Sequence, residues 1–130
     1  MKKEENNFSI INKTKGKLTS LPFVLMKEKV IGKDYDLSLV FIDEKKIHEL
    51  NKKHRGVDSA TDILSFPLDK KSGEIFICPS KTKEMAKEFD REYKNFLTFL
   101  FIHGLVHLLG YDHGDKMEKV EIKYRKIFNI

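Results

Sequence analysis

The chain has 130 residues, 40% of them apolar, so it can bury one modest core without disulfides, and a single domain over residues 1–130 is expected. Its one cysteine, Cys78, excludes an internal disulfide. No N-terminal stretch has the basic, apolar and small-residue order of a secretory signal, and a cytoplasmic location is expected. A net charge of +5 favours a polyanionic partner without identifying one.

In chain order, Phe8 and Ile10 alternate with polar neighbours as a half-buried strand would. Thr19 and Ser20 stand ahead of Pro22 and the apolar run Phe23 to Val30, which predicts a hydroxyl-capped helix with proline in its first turn. Leu37, Leu39 and Phe41 predict a strand, and Asp43 is placed to cap a following, largely exposed helix that carries Ile47 and Leu50. Ile63, Leu64 and Phe66 form the next apolar strand, which Pro67, having no N–H, either ends or sends to a sheet edge. Gly73 is expected to turn the chain into a strand over Glu74 to Ile77, stopped by Pro79.

Ser80 then caps a charged helix reaching to about Tyr93, and an apolar helix follows from Asn95. Its core, Phe96 to Leu109, is shorter than the ~18–20 residues that cross a bilayer and holds two histidines, so it reads as a buried helix and no membrane partner is expected. Gly114 and Asp115 open a last amphipathic helix with Val120, Ile122, Tyr124 and Ile127. Strands grouped among helices predict an α+β fold: a small mixed sheet of about four strands, with the helices packed mainly on one face.

The chemistry is concentrated in His103-Gly-Leu-Val-His107-Leu-Leu-Gly110-Tyr-Asp-His113. Histidines four apart on a helix project from one face, so His103 and His107 can offer two imidazoles to one ion. Gly110 can adopt a left-handed conformation that ends the helix and brings His113 back as a third ligand. Three protein ligands leave the fourth position of Zn²⁺ open, as in a catalytic site, at the end of a core helix. Cys78 is the candidate fourth ligand of a closed structural site, but its place at a strand end favours a small buried apolar residue. His48 reads as an exposed helix residue.

The same histidine spacing occurs in metzincin proteases, where a glutamate follows the first histidine as general base. Gly104 occupies that position here, which argues against peptide hydrolysis. Three neutral imidazoles also leave the charge of the ion uncompensated, an environment suited to phosphate oxygens.

A second polar stretch runs from Asn51 through Lys52, Lys53, His54, Arg55, Asp58, Thr61 and Asp62 to Ser65, Phe66 and Pro67. One reading is a solvated loop whose aspartates and threonine cap turns. The other is functional: 22 of the 25 basic residues are lysine, yet an arginine, with its planar fork, is placed at position 55.

Together these stretches resemble the YbeY family of bacterial single-strand-specific endoribonucleases, the 16S rRNA maturation factors. The resemblance covers Asn51 to Pro67, Gly73-Glu74-Ile75 and the His103 to His113 motif, in the family's order. It implies Zn²⁺, one per chain, on His103, His107 and His113, and a catalytic Arg55 that stabilises charge on a phosphodiester in cleavage. Lys52, Lys53, Thr61, Asp62 and Ser65 are the expected substrate-binding residues, with Asp62 or Asp112 able to orient a zinc ligand or take up a proton. Glu74 stands where the family more often has aspartate, and His54 where it more often has an aromatic.

The implied partners are single-stranded RNA, rRNA and the small ribosomal subunit with its proteins; no DNA partner is expected. The implied role is 16S rRNA 3′ end processing and ribosome quality control. Two other readings stay open on the residues alone: a metal-dependent hydrolase of a different substrate, and a ribosome-binding factor whose zinc is structural.

Overall fold

The computed structural model describes residues 7–130; residues 1–6, the start of the stretch read for a secretory signal, lie outside the described residues. Its elements are β1 (Phe8–Asn12), α1 (Phe23–Val30), β2 (Asp36–Phe41), α2 (Glu44–Arg55), β3 (Ile63–Asp69), β4 (Ser72–Ile77), α3 (Pro79–Glu88), α4 (Tyr93–Leu108) and α5 (Asp115–Ile127). This is the expected α+β architecture. The four strands form one mixed sheet in the order β1-β2-β4-β3, with β1 and β4 parallel to β2 and β3 antiparallel to β4. Pro67 sits on the edge strand β3, where a missing donor is tolerated, and the register shifts between Pro67 and Asp69.

Strand alternation sorts side chains to two faces. Leu37, Leu39, Phe41, Ile75 and Ile77 pack with Phe23, Met26 and the apolar side of α4 in the main core. Val40, Leu64 and Phe76 point the other way, against Ile47 and Leu50 of α2. The helices therefore lie mainly on one face, with α2 covering the other. Of α2, only Ile47 and Asn51 are buried, as the exposed-helix expectation required.

α4 is apolar on all sides because it is surrounded: the sheet, α1, α3 and α5 each pack against it. Phe101, Ile102, Leu105 and Val106 are fully buried there. Each such side chain contributes ~1.5–3 kcal/mol relative to exposure, which makes α4 a rigid base for the two histidines it carries.

Local boundaries differ from expectation where a competing group takes the cap or turn. α1 starts at Phe23 with Pro22 at its N-cap, and neither Thr19 nor Ser20 caps it. The β3–β4 turn falls at Lys70-Lys71, where Asp69 accepts from the Lys71 N–H at 2.8 Å; Gly73 lies inside β4. A Cβ on Gly73 would collide with the Tyr35 hydroxyl and approach Leu108 to 2.9 Å, so close packing explains this glycine. Ser80 lies within α3 and donates to Glu44, while Cys78 holds the N-cap position. The charged helix ends at Glu88, broken by the positive φ of Asp90, and Tyr93 already belongs to α4. On α5 the inward stripe is Met117, Val120, Glu121 and Tyr124; Ile122 and Ile127 are exposed.

Candidate metal centre

His103 and His107 project from successive turns of α4, both half-buried. After Leu109, Gly110 takes a φ of +103°, which an L side chain would resist, and the chain turns back to bring in His113. The candidate ligand atoms of the three histidines all lie within 4.8 Å of one another, so they can hold a metal ion. His107 Nε2 and His113 Nε2 are 3.3 Å apart. That is about the edge of a tetrahedron with metal–nitrogen bonds of ~2.0–2.1 Å, so the donor set fits zinc.

His103 Nδ1 meets Glu121 Oε1 at 2.7 Å. A neutral His103 donates its Nδ1 proton to that carboxylate and turns Nε2 toward the other two rings. Burial, then the neighbouring His103 and His113, lower the His107 pKa and favour the neutral imidazole that a cation requires. Cys78 is buried beside Val40 and Ile47 in the second core and is not in the histidine cluster.

The cluster opens on a pocket of about 390 Å³. One wall is His103, Gly104 and His107 of α4 with His113 of the turn that follows; facing it are Arg55, Thr61, Asp62 and Ser65, with Ile63 and Leu64. Ser65 Oγ donates to the Gly104 carbonyl at 3.0 Å and ties β3 to α4. The helix can approach the sheet that closely because position 104 has no side chain: a Cβ there would lie 3.0 Å from Ile63 Cδ1 and 3.1 Å from Ile75 Cδ1. A side chain at 104 would thus press on Ile63 and Ile75, so the position that holds the protease glutamate has no room for one here.

The polar loop is braced. Asn51 Nδ2 donates to the Ser59 carbonyl at 2.9 Å, and the Asp62 carbonyl accepts from the Cys78 N–H at 2.9 Å. His48 is only partly exposed and meets Asp58 at 2.6 Å, a bond that lowers the Asp58 pKa. Burial raises the pKa of Asp62, against hydrogen bonds from its own backbone, Ile63 and Thr61.

Of the expected substrate-binding residues, Thr61, Asp62 and Ser65 line the pocket with Arg55, whereas Lys52 and Lys53 stand exposed on the last turn of α2 outside its lining. His54 packs on Phe66, ring centroids 5.1 Å apart. Glu74 is half-buried within β4, opposite Phe66, and lies outside the pocket lining. Asp112 is exposed, and the position beside His103 belongs to Glu121, a residue that sequence reasoning missed. Its signal was present: Met117, Glu121 and Tyr124 share one helical stripe, so Glu121 is an acid on an otherwise inward-facing apolar row.

The family model described as Endoribonuclease YbeY matches residues 1–128. The chain is 32% identical to the Endoribonuclease YbeY of a Clostridium botulinum strain, over 97% of this chain and 95% of that one. It is 39% identical to the Alkaliphilus metalliredigens protein of the same name, over 72% of this chain and 67% of that one. The solution structure of TM1509 from Thermotoga maritima superposes with a TM-score of 0.66 at 31% identity, covering 94% of this chain and 89% of that chain. A match along nearly the whole length, together with the histidine cluster at the end of α4, shows that the chain belongs to the YbeY endoribonuclease family.

Proposed function

We propose that the chain is a zinc-dependent, single-strand-specific endoribonuclease whose residues 1–130 act as one domain in the cytoplasm, where it processes the 3′ end of 16S rRNA and serves ribosome quality control. The observation that carries this reading is the shared pocket: the three histidines on one wall and Arg55 on the other. Among the described residues the cluster comprises three histidines and faces that pocket, which favours an open catalytic site over a closed structural one.

When bound, zinc supplies Lewis acidity toward a phosphate oxygen or an attacking oxygen. His103, His107 and His113 hold it, and Glu121 fixes the His103 ring. Arg55 donates to phosphate oxygens as charge builds in the transition state. Thr61 and Ser65 line the path of the strand, and Asp62, whose carboxyl burial biases toward its protonated form, lines the same pocket as the group to exchange a proton there. Lys52 and Lys53 attract the polyanion from beside the pocket. No described helix is long and apolar enough to cross a membrane.

The test is a precursor fragment carrying the 16S rRNA 3′ end, offered single-stranded and annealed to a complement, with zinc-loaded protein. Internal cleavage of the single strand with the duplex spared supports the reading. Equal cleavage of both forms, or of neither, overturns it.

A further inference from the structure

Two of the chain's three arginines converge on one ring. The guanidinium carbons of Arg91 and Arg125 lie 5.0 and 5.3 Å from the Phe99 centroid. Phe99 stands one turn before His103 on α4, its ring 6.2 Å away and 29° from parallel. Arg125 stands one turn beyond Glu121 on α5. The His103–Glu121 pair of the metal centre is thus followed, one helical turn along, by the Phe99–Arg125 pair. The α3–α4 junction adds Arg91 and Phe89, and with Phe96 these residues line a pocket of about 320 Å³. That is within the ~300–1,000 Å³ typical of small-ligand sites.

Packing among the described residues leaves this cluster unsatisfied. Phe89 is 60% exposed. Among the described residues neither guanidinium pairs with a carboxylate. Among the described residues Arg125 Nε is buried without a hydrogen-bond partner, which leaves the rest of its guanidinium as the part open to an acceptor. One class of ligand suits the exposed ring and the unpaired guanidiniums together: a planar ring bearing acceptors and joined to a negative charge. A nucleotide in single-stranded RNA has that composition, because its base stacks on aromatic rings or guanidinium planes and its phosphate accepts from guanidinium N–H groups. A simple anion would leave Phe89 in water, and an apolar peptide would leave the arginines unpaired.

We propose that this pocket is a base-binding subsite that stacks a nucleotide flanking the scissile phosphodiester, with Phe89 as the stacking face and Arg91 and Arg125 as donors. The inference rests on the endoribonuclease reading and extends it to how the strand is gripped.

The experiment uses zinc-loaded protein and a set of short single-stranded oligoribonucleotides in which each position around the cleavage site is in turn replaced by an abasic unit or by 2-aminopurine. Stopped-flow fluorescence, read before cleavage, reports stacking and affinity. At one flanking position 2-aminopurine should be quenched, and the abasic unit should weaken binding on the order of tenfold. Phe89→Ala and Arg125→Gln should weaken binding of the intact strand by a similar factor and leave binding of that abasic strand unchanged, with zinc content at the parent level. Phe89 is exposed, so its variant keeps the test valid if Arg125→Gln folds poorly. Variant losses that persist with the abasic strand, or an abasic series without a sensitive position, overturn the subsite while RNA cleavage continues. Absence of RNA cleavage by the parent protein instead overturns the endoribonuclease reading.

Discussion

Enlarging Gly104 tests the close approach of α4 to the sheet. In Gly104→Ala the new methyl would sit 3.0 Å from Ile63 Cδ1 and 3.1 Å from Ile75 Cδ1. Replacing a helical glycine by alanine returns ~1 kcal/mol of helix propensity, but overpacking a filled core costs ~1–3 kcal/mol. Ile75 is fully buried and cannot retreat, whereas half-buried Ile63 can rotate aside. The net loss should be about 1 kcal/mol for alanine, and about 3 kcal/mol for Gly104→Val, which adds two more methyls and forfeits much of the propensity gain. At ~3–5 °C per kcal/mol, thermal unfolding of the metal-free protein should show Tm falling by about 4 °C and more than 9 °C. Because His103 and His107 flank position 104, zinc affinity should fall in the same order. A Gly104→Val protein that melts with the parent would refute the argument that this glycine exists to admit the sheet.

Glu121→Ala should weaken zinc binding by about 10–100-fold in a chelator-competition titration, with Glu121→Gln retaining more, since an amide oxygen can still accept from His103 Nδ1. Burial raises the Asp62 pKa, so its ionised form destabilises the metal-free fold once pH exceeds the usual 3.8; below that value the carboxyl is protonated in both folded and unfolded states. Asp62→Asn should therefore raise the Tm of the metal-free protein at pH 7 and lose that advantage near pH 3, and a gain of equal size at both would discount burial as the cause. Arg55→Lys keeps the charge but loses the planar fork, and should slow cleavage at saturating RNA about tenfold or more while zinc content and Tm stay at the parent level. A fully active lysine variant removes the catalytic role.

The histidine cluster was legible because its parts are local: one turn of helix separates His103 from His107, and Gly110 supplies the reversal that returns His113. Pro67, lacking a donor, left β3 to end or to lie at a sheet edge, and it lies at the edge; the apolar run Phe96 to Leu109, too short for a membrane and holding two histidines, marked α4 as buried. Features that depend on distant partners were not readable. Glu121 is eighteen positions from His103, and only the packing of α5 on α4 joins them. Phe89 and Arg91 come from the α3–α4 junction, Phe99 from α4 and Arg125 from α5, so nothing in their spacing announced a pocket. Gly73 was misread as a turn residue because glycine serves both turns and close packing, and only Tyr35 and Leu108 decide which applies.

The central claim is that His103, His107 and His113 hold the ion that makes this chain cut RNA. It is tested most directly by following internal cleavage of a single-stranded oligoribonucleotide by the parent protein and by His103→Ala/His107→Ala, each before chelation, after chelation and after zinc is restored. The parent should cut, stop on chelation and recover with zinc, and the double variant should be inactive throughout while still folded by circular dichroism. Cleavage by the double variant at the parent rate, unaffected by chelator, would contradict the account.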